Sequence, residues 1–223
     1  MKTAILVDGG FYRRRAQSLW GDKTARERAN ELFSYCLTHI MENDEHEKRE
    51  LYRVLYYDCA PMKKKVFHPF LQKQIDFEKT DLYTWGNEFL NELKSKRKFA
   101  IRLGKLADTQ AHYDIRYDII KKLCAGNVKF DDLSEKDFTI RVEQKGVDMK
   151  IGLDIASIAY KNQVEQIILI SGDSDFVPAA KLARREGIDF ILDPMKSPVK
   201  PDLLEHIDGI RCCCDKMYKK KSK

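Results

Sequence analysis

The sequence predicts an α/β fold with a mainly parallel central sheet. Short apolar runs alternate along the chain with stretches whose apolar residues recur at helical spacing, a pattern typical of repeated strand, helix, strand units. Residues 166–171 form an almost continuous apolar run, as expected for a central parallel strand covered on both faces. Right-handed crossovers then bring the carboxyl ends of the strands to one edge of the sheet.

The first elements are predicted to be a strand, a turn and a helix. Residues 3–8 are a short β-rich run that ends at the Gly9-Gly10 pair, which predicts a turn. Residues 24–41 follow, with apolar side chains at helical spacing. This order begins the alternation that defines the fold class.

Two further strands are predicted at residues 51–59 and 99–103, with a long stretch between them. Residues 61–98 are partly helical by the spacing of their apolar side chains, and Thr80 or Asp81 is a suitable helix cap. The stretch is longer than an ordinary crossover requires. We expect it to be an insertion that shapes substrate binding.

A second insertion is predicted at residues 107–136, which include a helix-like run. Residues 138–142 then resume the strand pattern, and a helix starts at Val147.

The last helix and strand follow the apolar run at 166–171. Asp173 or Ser174 caps a predicted helix that reaches about Arg185. Pro178 falls in its first turn, where a missing amide proton is tolerated. Residues 188–192 are the last predicted strand.

The chain of 223 residues is predicted to form a single domain over residues 1–210, with insertions at about 61–98 and 107–136, followed by a basic tail at 211–223. Its hydrophobic fraction of 43% is that of a globular protein. No run of eighteen apolar residues predicts a membrane span, and an aspartate within the first apolar run argues against a signal peptide. We therefore expect a cytoplasmic protein.

The six cysteines are scattered or consecutive and form no C-x-x-C pair. This distribution favours reduced structural thiols over a disulfide framework or a zinc site. The sequence identifies no role for the consecutive Cys212, Cys213 and Cys214.

The net charge of +6 is the balance of 41 basic and 35 acidic residues, so only local clusters indicate a partner. Basic clusters lie at residues 63–65, 94–98 and 216–223, and they would attract a polyanion. Taken singly, such clusters are also typical of solvated helix faces and a frayed tail.

Four aspartates stand where predicted strands end or predicted helices begin. They are Asp8, Asp148, Asp173 and Asp175. Because the strands end along one edge, we expect the fold to gather these carboxylates into one pocket. Clustered carboxylates repel one another unless a cation compensates them, and a set of oxygen ligands suits Mg²⁺ or Mn²⁺ rather than zinc. The sequence thus predicts a site for a hard divalent cation.

Each of these acids also has an ordinary structural explanation. Asp8 suits the turn before Gly9, and any of the other three suits the first turn or the cap of a helix. The grouping of all three segments at one edge is what favours a shared site. Asp154 lies six residues beyond Asp148 and points in another direction on a helix, so it is excluded from the predicted site.

Three motifs resemble the signature blocks of the NYN domain, a branch of the PIN-like nuclease superfamily. They are Val7-Asp8-Gly9-Gly10-Phe11, Lys145-Gly146-Val147-Asp148 and Ser171-Gly172-Asp173-Ser174-Asp175-Phe176. The resemblance extends from Met1 to about Pro194. It implies a PIN-like three-layer α/β/α sandwich and a metal-dependent nuclease site that commonly acts on RNA.

The resemblance also assigns residue roles. Asp8, Asp148, Asp173 and Asp175 match the metal-binding acids, and Ser171 matches a small hydroxyl residue that helps to position the metal water or the phosphate. Many relatives carry Asn where Phe11 stands here, so this chain lacks an amide that could orient the ligands or contact the substrate.

Candidate RNA contacts follow the first acid or lie in the second insertion: Arg13, Arg14, Arg15, Arg116 and Lys121. Guanidinium groups suit phosphates, and the three consecutive arginines begin close to the predicted pocket. Tyr113 and Tyr117 could stack on unpaired bases, but the favoured interpretation is that they pack the insertion onto the core.

The function predicted from the sequence is a Mg²⁺- or Mn²⁺-dependent ribonuclease that hydrolyses phosphodiester bonds of RNA, most readily single-stranded RNA. Two alternatives stay open: a non-catalytic RNA-binding or regulatory module, and a metal-dependent phosphatase or nucleotidase. The sequence leaves open endonucleolytic or exonucleolytic cleavage, the RNA target and whether the chain forms a homo-oligomer.

Overall fold

The protein is a mixed α/β fold whose main sheet has seven strands and is mostly parallel. The computed structural model describes residues 1–41 and 48–219, so the last four residues of the predicted tail lie outside it. Within the described residues, no helix is both long and apolar enough to cross a bilayer.

The strands are β1 (Lys2–Asp8), β2 (Glu50–Cys59), β3 (Lys65–His68), β4 (Lys73–Asp76), β5 (Phe99–Leu106), β6 (His112–Ile115), β7 (Phe138–Arg141), β8 (Gln144–Lys145), β9 (Gln166–Ile170), β10 (Asp189–Asp193) and β11 (Gly209–Ile210). The helices are α1 (Gly9–Trp20), α2 (Ala25–Met41), α3 (Asp81–Lys94), α4 (Tyr117–Cys124), α5 (Val147–Tyr160), α6 (Val177–Arg185), α7 (Pro201–Leu204) and α8 (Lys216–Lys219).

The strand order of the main sheet is β11-β10-β9-β1-β2-β5-β8. Every neighbouring pair is parallel except β5 and β8, which are antiparallel. The strand β1 occupies the centre, and its residues pair with β2 on one side and with β9 on the other. The chain therefore builds outwards from β1 in both directions.

Two hydrophobic clusters lie on opposite faces of this sheet. Ala4 and Leu6 of β1 belong to one cluster, together with α5 and α6. Ile5 and Val7 belong to the other, together with α1, α2 and α3. This alternation follows from the period of two along a strand, and the complete burial of all four residues explains why β1 has apolar side chains in succession.

The predicted central strands are confirmed, but the predicted turn after the first one is wrong. The helix α1 begins at Gly9, directly after β1, and Asp8 caps it by accepting a hydrogen bond from the Phe11 amide. The Gly9-Gly10 pair is the first turn of this helix. A Cβ on Gly9 would lie only 2.4 Å from the Tyr56 hydroxyl oxygen, so this glycine is required by close packing.

The replacement Gly9→Ala is therefore expected to lower the free energy of unfolding by about 1–3 kcal/mol, the usual penalty of overpacking. The added methyl group would also lie 2.6 Å from the carbonyl oxygen of Tyr57, which cannot move without distorting β2. Urea denaturation measures the change. The matched control is Gly10→Ala, whose Cβ would meet its nearest neighbours at 3.5 Å. Equal midpoints for the two variants would contradict this explanation.

The insertions differ from their predicted form. Residues 61–98 begin with an antiparallel hairpin of β3 and β4 that the sequence did not predict, and α3 then starts where Thr80 caps it. In the second insertion, the predicted helical run is only partly correct because residues 112–115 form a strand. This strand pairs with β7, so the predicted strand at 138–142 lies outside the main sheet.

The cysteine triplet, which the sequence assigned to the tail, reaches the core. Cys213 and Cys214 are buried in the cluster formed with α1, α2 and α3. The sulfur of Cys213 lies 3.5 Å from Nδ1 of His39, whose Nε2 lies 2.8 Å from a carboxylate oxygen of the buried Asp193. All six cysteines are free thiols. The segment after β11 is therefore anchored to the fold through its apolar and polar contacts.

Candidate active site

The candidate site lies at the carboxyl ends of β1 and β9, where the order of the strands in the sheet reverses. The strand β1 ends at Asp8, and its neighbour β9 ends at Ile170, one residue before Ser171. In open α/β sheets, ligands bind outside the carboxyl ends of two such strands, because the connections leave them in opposite directions and open a crevice. Ser171 donates a hydrogen bond of 3.3 Å from its hydroxyl to Oδ2 of Asp8. The structure thus joins the first and third sequence motifs.

Asp8 carries a structural and an electrostatic role at once. Its Oδ1 accepts the Phe11 amide proton at 3.0 Å and caps α1. Burial raises the pKa of its carboxyl above the ordinary value, and the negative charge of Asp148 raises the pKa further. The Phe11 amide, the guanidinium of Arg14 and the Ser171 hydroxyl act in the opposite direction without cancelling the increase.

Asp173 and Asp175 have different roles in their loop, and the sequence alone could not assign which of them caps the following turn. Asp173 caps the short 3-10 turn Ser174–Phe176 by accepting the Asp175 amide proton at 3.0 Å. Its own amide donates to the Ser171 hydroxyl oxygen at 3.3 Å. Both aspartates are exposed. Asp173 is therefore the cap, and Asp175 is the first acid of the turn.

Asp148 completes the group from a third element. It lies in the first turn of α5 and is exposed. Partial desolvation raises the pKa of its carboxyl, and the charges of Asp173 and Asp175 add to the effect. Asp148 in turn raises the pKa of Asp8. The four acids from three separate segments are therefore coupled electrostatically.

These acids do not form a preassembled metal cage. Among residues 1–41 and 48–219, no three His, Cys, Asp or Glu side chains are arranged so that they could hold a metal ion. The donor set consists of carboxylate oxygens, which hard divalent cations prefer, and its mutual repulsion is what a cation would relieve. The group fits such an ion by chemistry and charge.

The Phe11 ring packs against Gly172, in the loop that carries Asp173 and Asp175. A Cβ on Gly172 would lie 2.7 Å from the Phe11 ring, so the ring and the glycine are in close contact. The aromatic side chain packs against the loop between Ser171 and Asp173. Where the family resemblance implies an amide, this chain thus makes an apolar contact.

The three consecutive arginines point to three different partners, because α1 turns successive side chains to different directions. Arg13 donates to the buried Asp58 at 3.0 Å, and Arg15 donates twice to the carbonyl oxygen of Met195. Arg14 is exposed, and its positive charge lowers the pKa of Asp8. Of the three, Arg14 is the one that the structure places at the acids.

Arg116 and Lys121 make their contacts within the second insertion. Arg116 donates to both carboxylate oxygens of Asp118, and the ammonium of Lys121 lies 4.7 Å from the centre of the Tyr117 ring. The structure does not group these two cations with the acids. The centre of the Tyr113 ring lies 4.2 Å from that of His68 in the first insertion, and Tyr117 is 71% exposed, so the predicted packing of these tyrosines onto the core is wrong.

Asp58 and Gln144 are site residues that the sequence reasoning missed. Asp58 is 3% exposed near the end of β2, and it accepts hydrogen bonds from Arg13 and from the Tyr56 hydroxyl at 2.7 Å. Its position at the carboxyl end of a predicted strand was the available indication. A Cβ on Gly10 would lie 3.5 Å from both Oδ1 of Asp8 and Oε1 of Gln144. No local pattern marks Gln144.

A family model matches residues 69–201, more than half of the chain, and its description is the NYN domain. The chain belongs to the NYN domain family. The family is one of PIN-like nucleases, so membership supports a nuclease function for this chain. The match contains Asp148, Ser171, Asp173 and Asp175 but not Asp8, so the geometry is what connects Asp8 to the other acids.

Among solved structures, the NYN chain is similar to a crystal structure of a protein of unknown function from Vibrio parahaemolyticus. The two are 17% identical, the similarity covers 95% of this chain and 91% of the other, and the TM-score is 0.49. No curated protein matches this chain.

Proposed function

We propose that this NYN protein is a cytoplasmic, Mg²⁺- or Mn²⁺-dependent ribonuclease with a PIN-like three-layer α/β/α fold and a preference for single-stranded RNA. The observation that carries the proposal is the convergence of Asp8, Asp148, Asp173 and Asp175 at the switch point of the sheet. Burial raises the pKa of the Asp8 and Asp148 carboxyls, and the charges of neighbouring acids raise both further, so the fold accepts an electrostatic penalty at this place. A penalty of this kind is typical of functional sites.

The four aspartates would supply the ligands of the metal once their side chains close around an ion, because the described side chains do not already form a cage. When bound, the ion would lower the pKa of the attacking water and neutralise charge that develops on the phosphate. Ser171 fixes the orientation of Asp8 through its hydroxyl and of the loop through the Asp173 amide. Arg14, whose charge acts on Asp8, would hold a phosphate beside the acids, because a guanidinium matches two phosphate oxygens at once.

The experiment compares three substrates and two site variants. End-labelled single-stranded RNA, single-stranded DNA and a phosphomonoester are each incubated with the protein in Mn²⁺, Mg²⁺ or chelator. The variant Asp148→Asn removes one charge, and Asp173→Asn removes another while keeping an oxygen that can cap the turn. The control is Asp131→Asn, an exposed aspartate of the second insertion.

The expected result is metal-dependent cleavage of RNA that falls at least about 100-fold in both site variants and is unchanged in the control, a loss comparable with removing one electrostatic stabiliser. Cleavage that survives in both site variants would refute the site. Salt-sensitive RNA binding without cleavage would identify a binding module, and release of phosphate from the monoester alone would identify a phosphatase.

A further inference from the structure

An apolar cavity of about 180 Å³ lies between α3 of the first insertion and the edge of the sheet. This is below the volume range of about 300–1,000 Å³ that pockets for whole small ligands occupy, so it suits a fragment such as one planar ring system. Its lining includes Pro61, Phe77, Tyr83, Trp85 and Phe89. Aromatic faces of this kind stack on nucleobases whatever their sequence.

Two contacts fix the position of Trp85 in the lining of the cavity. The ring of Trp85 stacks on Phe89, with centres 5.1 Å apart and planes 10° from parallel, and its indole nitrogen donates to the carbonyl oxygen of Lys23 at 3.0 Å. Tyr83 is half-buried, and the neighbouring Leu82 is 63% exposed at the rim. Leu82 therefore adds exposed apolar surface next to the aromatic residues of the cavity.

One end of the cavity is polar. Arg13, Asp58 and Gln144 line it. The Nε of Arg13 is buried and has no hydrogen-bond partner in the part of the chain that the structure describes. A buried donor without a partner costs free energy, so an acceptor that reached this group would be stabilised by it. The edge of a base carries both acceptors and donors, which the Gln144 amide and the Asp58 carboxylate can also match.

A second, basic cavity of about 460 Å³ adjoins the first. The two share Arg13, Leu82, Trp85 and Gln144. The second adds three cations, Arg14, Lys23 and Arg28, and one acid, Asp22. Lys23 and Arg28 both pair with Glu31, so Arg14 is the added cation best placed to meet a phosphate. An apolar slot next to an excess of positive charge matches a nucleotide, whose base is planar and whose phosphate is anionic.

Both cavities border the acidic site. Gly10 lines the basic cavity, and the point where it would carry a Cβ lies 3.6 Å from Nη1 of Arg14 and 3.5 Å from Oδ1 of Asp8. Gln144, in the wall shared by both cavities, lies 3.5 Å from the same point. A strand held in the basic cavity would therefore pass directly to the carboxylates.

We infer that the apolar cavity is a base-binding subsite, which receives one unpaired base of a single-stranded polynucleotide while the adjoining phosphate lies in the basic cavity. The inference rests on the proposed function in one respect, namely that the substrate is a polynucleotide. Tyr83 and Trp85 provide the stacking surface, and Gln144 and Arg13 contact the edge of the base.

The test measures binding in chelator, so that no metal-dependent cleavage interferes. Fluorescence anisotropy reports the affinity of a labelled RNA hexamer for the wild-type protein, for Tyr83→Ala and for Gln144→Ala. The control is Tyr160→Ala, which removes a 66% exposed tyrosine at the end of α5. A second set of hexamers carries one abasic nucleotide at each position in turn. Thermal unfolding verifies that each variant folds.

The expected result is a loss of affinity of about 5- to 100-fold for Tyr83→Ala, the effect of removing the stacking of one base. One abasic position should weaken wild-type binding by a similar factor and should not weaken binding to Tyr83→Ala any further. The salt dependence should stay the same in Tyr83→Ala, because no phosphate contact is removed.

The outcomes separate this inference from the proposed function. Tight binding with these effects but no cleavage in Mn²⁺ would refute the ribonuclease and keep the subsite. Cleavage with unchanged affinity in Tyr83→Ala and Gln144→Ala, or with no sensitive abasic position, would overturn the subsite and keep the ribonuclease. A wild-type protein that binds no RNA would overturn both.

Discussion

Replacing Arg13 by Met is expected to lower the free energy of unfolding by about 3–5 kcal/mol, the usual effect of leaving a buried charge without its partner. Asp58 is 3% exposed, and Arg13 is the cation that pairs with it, at 3.0 Å. The Tyr56 hydroxyl and the Cys59 amide would still donate to the carboxylate, but neither carries a charge. Urea denaturation followed by circular dichroism measures the loss, provided that the slope is unchanged.

Two controls show whether the loss comes from the unpaired carboxylate. The double variant Arg13→Met with Asp58→Leu should recover most of the stability, because apolar pairs often replace buried ion pairs without penalty. The variant Arg116→Met breaks an exposed pair with Asp118, so it should change the free energy of unfolding by less than about 1 kcal/mol. An Arg13→Met variant as stable as Arg116→Met would contradict the structural role of this pair.

The arginines show where sequence reasoning loses information. Three consecutive cations after a predicted turn were expected to approach the substrate together. They lie instead on a helix, whose geometry separates successive side chains by about 100°. The helix was not predicted because two glycines usually disfavour one. Here the first of them is needed because the Tyr56 hydroxyl leaves no room for a Cβ.

The acids were predictable because the rule that locates them is topological. Each stands at the end of an apolar run or at the start of a helix, and parallel strands end at one edge whatever their order. Asp58 was missed although it also lies near the end of a predicted strand. It precedes the last residue of its strand, and only the observed pairing of β1 with β2 shows that it lies next to the α1 arginines.

The second insertion was the least predictable region. Tyr113 and Ile115 were assigned to a helix, but their strand pairs with residues 138–141 across a gap of more than twenty residues. Strand formation depends on a partner that can be distant in sequence, and the local pattern carries no information about that partner. The base-binding cavity depends on this arrangement, since Ile140 and Val142 line it as well.

Replacing Asp8 by Asn is expected to have opposite effects on stability and on activity. In chelator at pH 7, the variant should be more stable than the wild-type protein by about 1 kcal/mol, which corresponds to roughly 2–4 °C for a chain of this size. The physical reason is that burial and the nearby Asp148 charge disfavour the ionised carboxylate. An amide of the same shape keeps the oxygen that caps α1 and removes the charge.

The pH dependence of this difference has a defined sign. Because the pKa of Asp8 is raised in the folded protein, the native state holds the proton more tightly than the unfolded chain. Below the ordinary pKa of an aspartate both states are protonated, so the two proteins should be equally stable. The wild-type protein loses stability relative to the Asp8→Asn variant as the pH rises through the ordinary pKa of the unfolded state and then the raised pKa of the folded state. Above both pKa values the difference in stability is constant.

The effect of Mn²⁺ on the melting temperature also distinguishes the wild-type protein from Asp8→Asn. Mn²⁺ should raise the melting temperature of the wild-type protein by relieving the repulsion among the acids, and it should do so much less in Asp8→Asn, which lacks a ligand. RNA cleavage should fall at least about 100-fold in the variant, although its fold is more stable. A variant that melts below the wild-type protein in chelator at pH 7 would show that Asp8 is retained for structure. The combination of higher stability and lost cleavage would instead identify a residue that the protein keeps for its chemistry.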